Sequence, residues 1–132
     1  MSRVVLRFVT HSTCSPFVPR TGVFKVAYAI RRSLPPYAPY ATELAEQLAW
    51  FEANMAVPTR FSTSRLPRAR GTAICWVKAN ALEHVRRLRS LVALIEAAGH
   101  VRTDELRTER PGYIVFEDDH QVVALPFANT PR

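Results

Sequence analysis

Apolar and polar positions along this chain follow two periods, one close to 2 and one close to 3.6. Val4-Val5-Leu6-Arg7-Phe8-Val9 is β-branched and aromatic, which predicts a first strand ending at His11-Ser12-Thr13. Pro16 and Pro19 keep the following stretch irregular, because proline removes a backbone donor and fixes φ. After Gly22 the period changes. Val23, Val26, Ala27, Ile30 and Leu34 recur at helical spacing, with Lys25, Arg31 and Arg32 off that stripe. Pro35, Pro36 and Pro39 then end any helix and leave the aromatic connector Pro35-Pro36-Tyr37-Ala38-Pro39-Tyr40. A second helix is predicted with Thr42 as its cap and Glu43 and Glu46 in the first turn, where the helix dipole favours negative charge. Leu44, Leu48, Phe51 and Met55 form its apolar stripe, and Trp50 either widens that face or sits at its rim.

Residues 58–71 are the one long segment without periodicity, and loops of this length in a small domain are usually functional or disordered. Ala73-Ile74-Cys75-Trp76-Val77 predicts a short buried strand with Cys75 as a small buried hydrophobe. The longest helix is predicted over residues 80–98, capped by Asn80. Leu82, Val85, Leu88, Val92 and Ile95 should face inward with Leu91 beside them, and Gly99 should end it. Val101 to Arg107 reads as an exposed strand and Pro111-Gly112 as a turn. Tyr113-Ile114-Val115-Phe116 and Gln121-Val122-Val123-Ala124-Leu125 read as a hairpin about Asp118-Asp119, and residues 128–132 as a frayed tail. Mixed order with a terminal meander points to α+β. The expected fold is one domain over residues 1–132, a small and mostly antiparallel sheet of about four or five strands with two or three helices on one face.

Charge adds a second layer. Eighteen Lys and Arg against eleven Asp and Glu give a net charge of +7 and a pI near 10.2. The excess is uneven along the chain: Arg60, Arg65, Arg68, Arg70 and Lys78 lie in residues 53–82, where there is no acid. Asp104, Glu105, Glu109, Glu117, Asp118 and Asp119 crowd into residues 104–119. A face that gathered the basic stretches would attract polyanions, because neutralising phosphates dominates non-specific affinity for nucleic acid. Arg-rich composition is also what a guanine- and cytosine-rich genome produces without any ligand. No apolar run reaches the roughly 18 residues of a membrane span. The opening MSRVVLRFVTHS has no apolar core or cleavage site of a signal peptide, so a cytoplasmic location with reduced thiols is expected.

Candidate chemistry is sparse. Cys14 and Cys75 sit in no CxxC, and His11 beside Cys14 is only a local proximity in a loop. Glu117-Asp118-Asp119-His120 is the densest set of metal-ligand types, yet consecutive residues at a hairpin tip diverge, so turn chemistry is the simpler account. With a two-residue loop, Glu117 and His120 would face each other across the strands. His84 follows Glu83 at a helix start and is expected on the surface or half buried, and His100 in a solvated loop. No Walker motif, GxGxxG, GxSxG or HExxH occurs.

Trp50-Phe51, Pro58-Thr59-Arg60-Phe61, Trp76-Val77-Lys78, Arg110-Pro111-Gly112-Tyr113 and Glu117-Asp118-Asp119-His120-Gln121-Val122-Val123 together resemble a set of small uncharacterised bacterial proteins over roughly residues 45–127. The resemblance implies a single bacterial-type domain and brings no activity with it.

The first functional expectation is a basic binding domain for an anionic partner, nucleic acid foremost. Arg60, Arg65, Arg68 and Arg70 would contact phosphates, Phe61 would stack, and Arg31, Arg32 and Lys78 would contribute. The alternatives are a self-association module using sheet edges and the aromatic connector, and a metal-dependent phosphodiesterase with Glu117, Asp119 and His84 or His120 as ligands. No catalytic residue, metal or cofactor is assigned.

Overall fold

The computed structural model describes residues 4–11, 21–56, 73–99 and 101–131. Their elements, in chain order, are β1 (Val5–His11), β2 (Thr21–Gly22), α1 (Val23–Ser33), α2 (Ala41–Asn54), β3 (Ile74–Lys78), α3 (Leu82–Gly99), β4 (Arg102–Thr108), β5 (Tyr113–Glu117) and β6 (Gln121–Leu125). Six strands and three helices among the described residues, with β1–β2, β1–β3, β3–β6 and β5–β6 paired antiparallel, make the fold α+β. No helix among them is long and apolar enough to cross a membrane.

The chain gathers into two compact units, and β1, α3 and β4 run from one into the other. The first comprises Met1–Arg7, Met55–Val85 and Leu106–Arg132. Its strands run in the order β1-β3-β6-β5. Val5 opposes Lys78, Trp76 opposes Val122 and Ile74 opposes Ala124. Facing residues of an antiparallel pair share a side of the sheet, so Val5, Trp76, Val122 and Ala124 form one buried cluster, with Ile74 and Leu106 against it. The expected hairpin is present. Glu117 pairs with Val122 and Tyr113 with Leu125, and the register shifts by one between Ile114 and Phe116. Such a bulge bends the strand and breaks its strict alternation.

Gly112 opens that hairpin at φ 129°, where a Cβ would run into the Leu125 carbonyl. Only glycine suits both conditions. Beyond β6, where the sequence suggests a frayed tail, the chain closes a turn instead. The Thr130 amide donates to the Phe127 carbonyl at 3.1 Å, and the Phe127 amide donates to Thr130 Oγ1 at 2.9 Å. Thr130 is buried.

The second unit comprises Phe8–Asn54 and Arg86–Glu105. Val9 and Thr10 pair with Gly22 and Thr21, and α1 packs on α2. The predicted stripes are buried at Val23 and Ala27 on α1 and at Leu44, Leu48 and Phe51 on α2. Thr42 does not cap α2. The helix already includes Ala41, after Tyr40 adopts φ 73° and its carbonyl accepts from the Leu44 amide. Three prolines before this point leave the turn little other freedom.

The third predicted helix starts later and is rotated. It begins at Leu82 rather than Asn80, with the Ala81 carbonyl accepting from Val85. Leu82 is 76% exposed instead of inward, whereas His84 is buried. The buried positions Ala81, Val85, Leu88, Leu91, Leu94 and Ile95 still recur at helical spacing, so the period holds and the face turns by about one residue.

Candidate functional site

The densest polar cluster among the described residues lies within the first unit, where the β5–β6 turn meets β3 and the start of α3. It is built by Asp118. The Asp118 Oδ1 accepts from the His120 amide at 2.8 Å and the Gln121 amide at 2.9 Å, and the Asp118 amide donates to the Gln121 carbonyl at 3.0 Å. A short carboxylate closing a turn on amides two and three places on is the chemistry that puts Asp in such turns. Burial on its own would raise the Asp118 carboxyl. The bonds from the His120 amide and the Gln121 side chain and amide, with the His120 charge, outweigh burial and hold it below the ordinary range.

Gln121 is the hub. Its side chain is almost wholly buried, and Nε2 donates to the Ala56 carbonyl at 2.6 Å and to Asp118 Oδ2 at 3.1 Å. Its Oε1 accepts from Cys75 Sγ at 3.1 Å. Three of its hydrogen-bonding positions are therefore used, as a buried amide requires. Cys75 corrects the expectation of a buried hydrophobe: the residue is exposed. The sulfur, aimed at Gln121, is the enclosed part. Desolvation, then the Asp118 charge, push the thiol up to about 12, with Arg7 opposing. A thiol held protonated is a poor nucleophile, so the arrangement does not favour cysteine chemistry.

The imidazoles of His84 and His120 stack with centroids 4.0 Å apart and planes 18° from parallel. Glu117 does not face His120 across the strands; it lies opposite Val122 and pairs with Lys78 Nζ at 2.6 Å. The loop is wider than two residues, which moves the pairing on. Glu117, Asp119, His84 and His120 form no metal site: among the described residues no three His, Cys, Asp or Glu side chains converge on one point.

The expected anion-contacting residues divide into three groups. Arg60, Phe61, Arg65, Arg68 and Arg70, with all of residues 58–71 where the sequence suggests a loop, lie outside the described residues, as do His100 and Cys14. Lys78 is engaged by Glu117. Arg31 is 3.9 Å from Glu52 and lies over the Tyr28 ring at 4.7 Å, while Tyr28 donates to Glu52 at 2.7 Å. Burial and the Glu52 contact raise the Tyr28 phenol. Arg32 is exposed. Trp50 takes the rim position: half buried, it meets Phe51 edge to face at 5.1 Å and carries the Arg87 guanidinium over its ring at 4.8 Å.

Sequence reasoning missed the roles of Gln121 and His84. A signal existed for the second, since His84, Leu88, Leu91 and Ile95 are spaced as one helical stripe. For Gln121 there was none, because Ala56 and Cys75 are remote in the sequence. Compared with known protein families, curated proteins and solved structures, the chain gives no significant match.

Proposed function

We propose that this chain is a small basic binding domain for a polyanion, with nucleic acid the partner its chemistry fits best. Charge carries the reading. Within the bounds of the first unit the sequence has ten Lys and Arg against five acids, Glu83, Glu109, Glu117, Asp118 and Asp119. Two of those acids have internal roles, Glu117 on Lys78 and Asp118 on its own turn. Arg60, Arg65, Arg68 and Arg70 fall in a stretch of sequence, residues 53–82, that itself contains no carboxylate. Four guanidiniums bring planar donors suited to phosphate, and Phe61 brings a surface on which a base can stack.

The assignment is narrower than the sequence alone suggests. Lys78 and Arg31 have carboxylate partners, so they add little, and Arg32 remains as the contributor outside the 60–70 stretch. Fluorescence anisotropy with labelled single-stranded and duplex oligonucleotides tests this. The double variant R68A/R70A should weaken binding by about tenfold or more, whereas K78A should leave it within about twofold. Equal losses from both would overturn the assignment, and so would the absence of binding at low salt.

A further inference from the structure

We infer, on the polyanion reading above, that the α1–α2 connector is a stacking contact for single-stranded nucleic acid, with the exposed side of α1 meeting the phosphates. Tyr37 is 89% exposed and Tyr40 43%, so neither ring completes the core. The turn that carries them is fixed by its own backbone. The Ala38 amide donates to the Pro35 carbonyl at 3.0 Å, the Ala41 amide to the Ala38 carbonyl at 3.2 Å, and the Leu44 amide to the Tyr40 carbonyl at 2.9 Å. Tyr40 is held at φ 73°, a conformation bulky residues rarely take and one that clusters where a fold presents side chains to a ligand. Because this backbone is already ordered, a base that stacks on it has less freedom to remove.

Charge selects the partner and its path. Residues 21–42 contain Lys25, Arg31 and Arg32 and no carboxylate. Lys25 and Arg32 lie seven residues apart on α1, two turns and about 10 Å along one side of the helix, with exposed Ala29 between them. Both are exposed, and among the described residues neither pairs with a carboxylate. Glu52 is taken by Tyr28 and Arg31. Glu43, exposed in the first turn of α2, repels phosphate on that side of the connector, so the strand leaves Tyr37 along α1. A cationic stripe ending at open tyrosines matches a strand whose phosphates follow one line while its bases splay onto aromatic rings. In a duplex the bases already stack on one another, so the single strand is the form these tyrosines select.

Fluorescence anisotropy on the full chain, with labelled oligothymidylate and a labelled duplex, tests this. Y37A, at a position with no part in the core, should weaken single-strand binding about tenfold and leave duplex binding within about twofold, with unchanged circular dichroism. Y37F keeps the ring and should stay within about twofold of wild type on the single strand. K25A/R32A should weaken single-strand binding about tenfold at low salt and by less as salt rises. A Y37A variant that holds oligothymidylate like wild type overturns the proposal. So does an equal loss on the duplex, a Y37F variant as weak as Y37A, or a K25A/R32A variant without effect. Loss with R68A/R70A but not with Y37A would sink this contact and leave residues 60–70 standing. The reverse would sink the earlier assignment alone, and no binding by the wild type would sink both.

Discussion

Replacing Gln121 with leucine removes the hub of the turn cluster while nearly conserving its volume. The change deletes two donated bonds, to Ala56 and Asp118, and leaves the Cys75 thiol without its acceptor. Net contributions of about 0.5–1.5 kcal/mol per bond give about 2–4 kcal/mol. The apolar side chain returns some of this on burial, so a loss of about 2 kcal/mol is expected, or a fall in Tm of roughly 6–10 °C for a chain of this size. Thermal and urea unfolding followed by circular dichroism measure it. Gln121→Glu keeps the shape but sets a carboxylate against Asp118 and removes the amide donor, so it should lose more at pH 7. That new carboxyl is raised in the folded state by burial and by Asp118, so protonation favours folding and the deficit should shrink below about pH 5. A leucine variant within about 0.5 kcal/mol of wild type would refute the view that this network holds the turn.

The remaining expectations concern single groups. Asp118 has a depressed folded pKa, so its contribution is present above the unfolded value of about 3.9 and is lost as pH falls through the lower folded value. Asp118→Asn keeps an acceptor for the two amides, so acid titration of stability should show a shallower fall in that window, and an unchanged fall would discard the argument. With Cys14 replaced by serine, Cys75 at pH 8 should react with a thiol reagent about a thousandfold more slowly than a free thiol, since a pKa of about 12 leaves few thiolates. Rapid labelling would show that the sulfur is open. Gly112→Ala should cost about 2 kcal/mol or more, from the positive φ together with the collision at the Leu125 carbonyl, and a neutral result in urea unfolding would contradict that geometry.

Periodicity made much of this fold legible. The β5–β6 hairpin, α1 and the burial of Leu44, Leu48 and Phe51 follow from patterns that only one secondary structure satisfies. Helix starts were less legible because capping is decided by a single residue. Thr42 and Asn80 are good caps in isolation, yet the Pro39-Tyr40 turn and Ala81 placed the first turns of α2 and α3 two residues earlier and one later than they imply. On α3, leucines at 82, 88, 91 and 94 surround much of the helix, so hydrophobicity fixed the period and not the face, and Leu82 and His84 changed places. The polar cluster was the least legible part. Asp118 follows from turn chemistry, but Gln121 meets Ala56 across 65 residues and Cys75 across 46, distances no local rule spans. The Arg of residues 60–70 were visible as composition, and composition alone does not say which cations have carboxylate partners, as Lys78 and Arg31 demonstrate.

The salt dependence of oligonucleotide binding tests the central claim most directly. If four Arg neutralise phosphates of a single strand, the plot of log affinity against log salt should have a slope of about −3, and R68A/R70A should bring it nearer zero by about 1.4. A slope near zero, or one that the double variant leaves unchanged, would contradict the account.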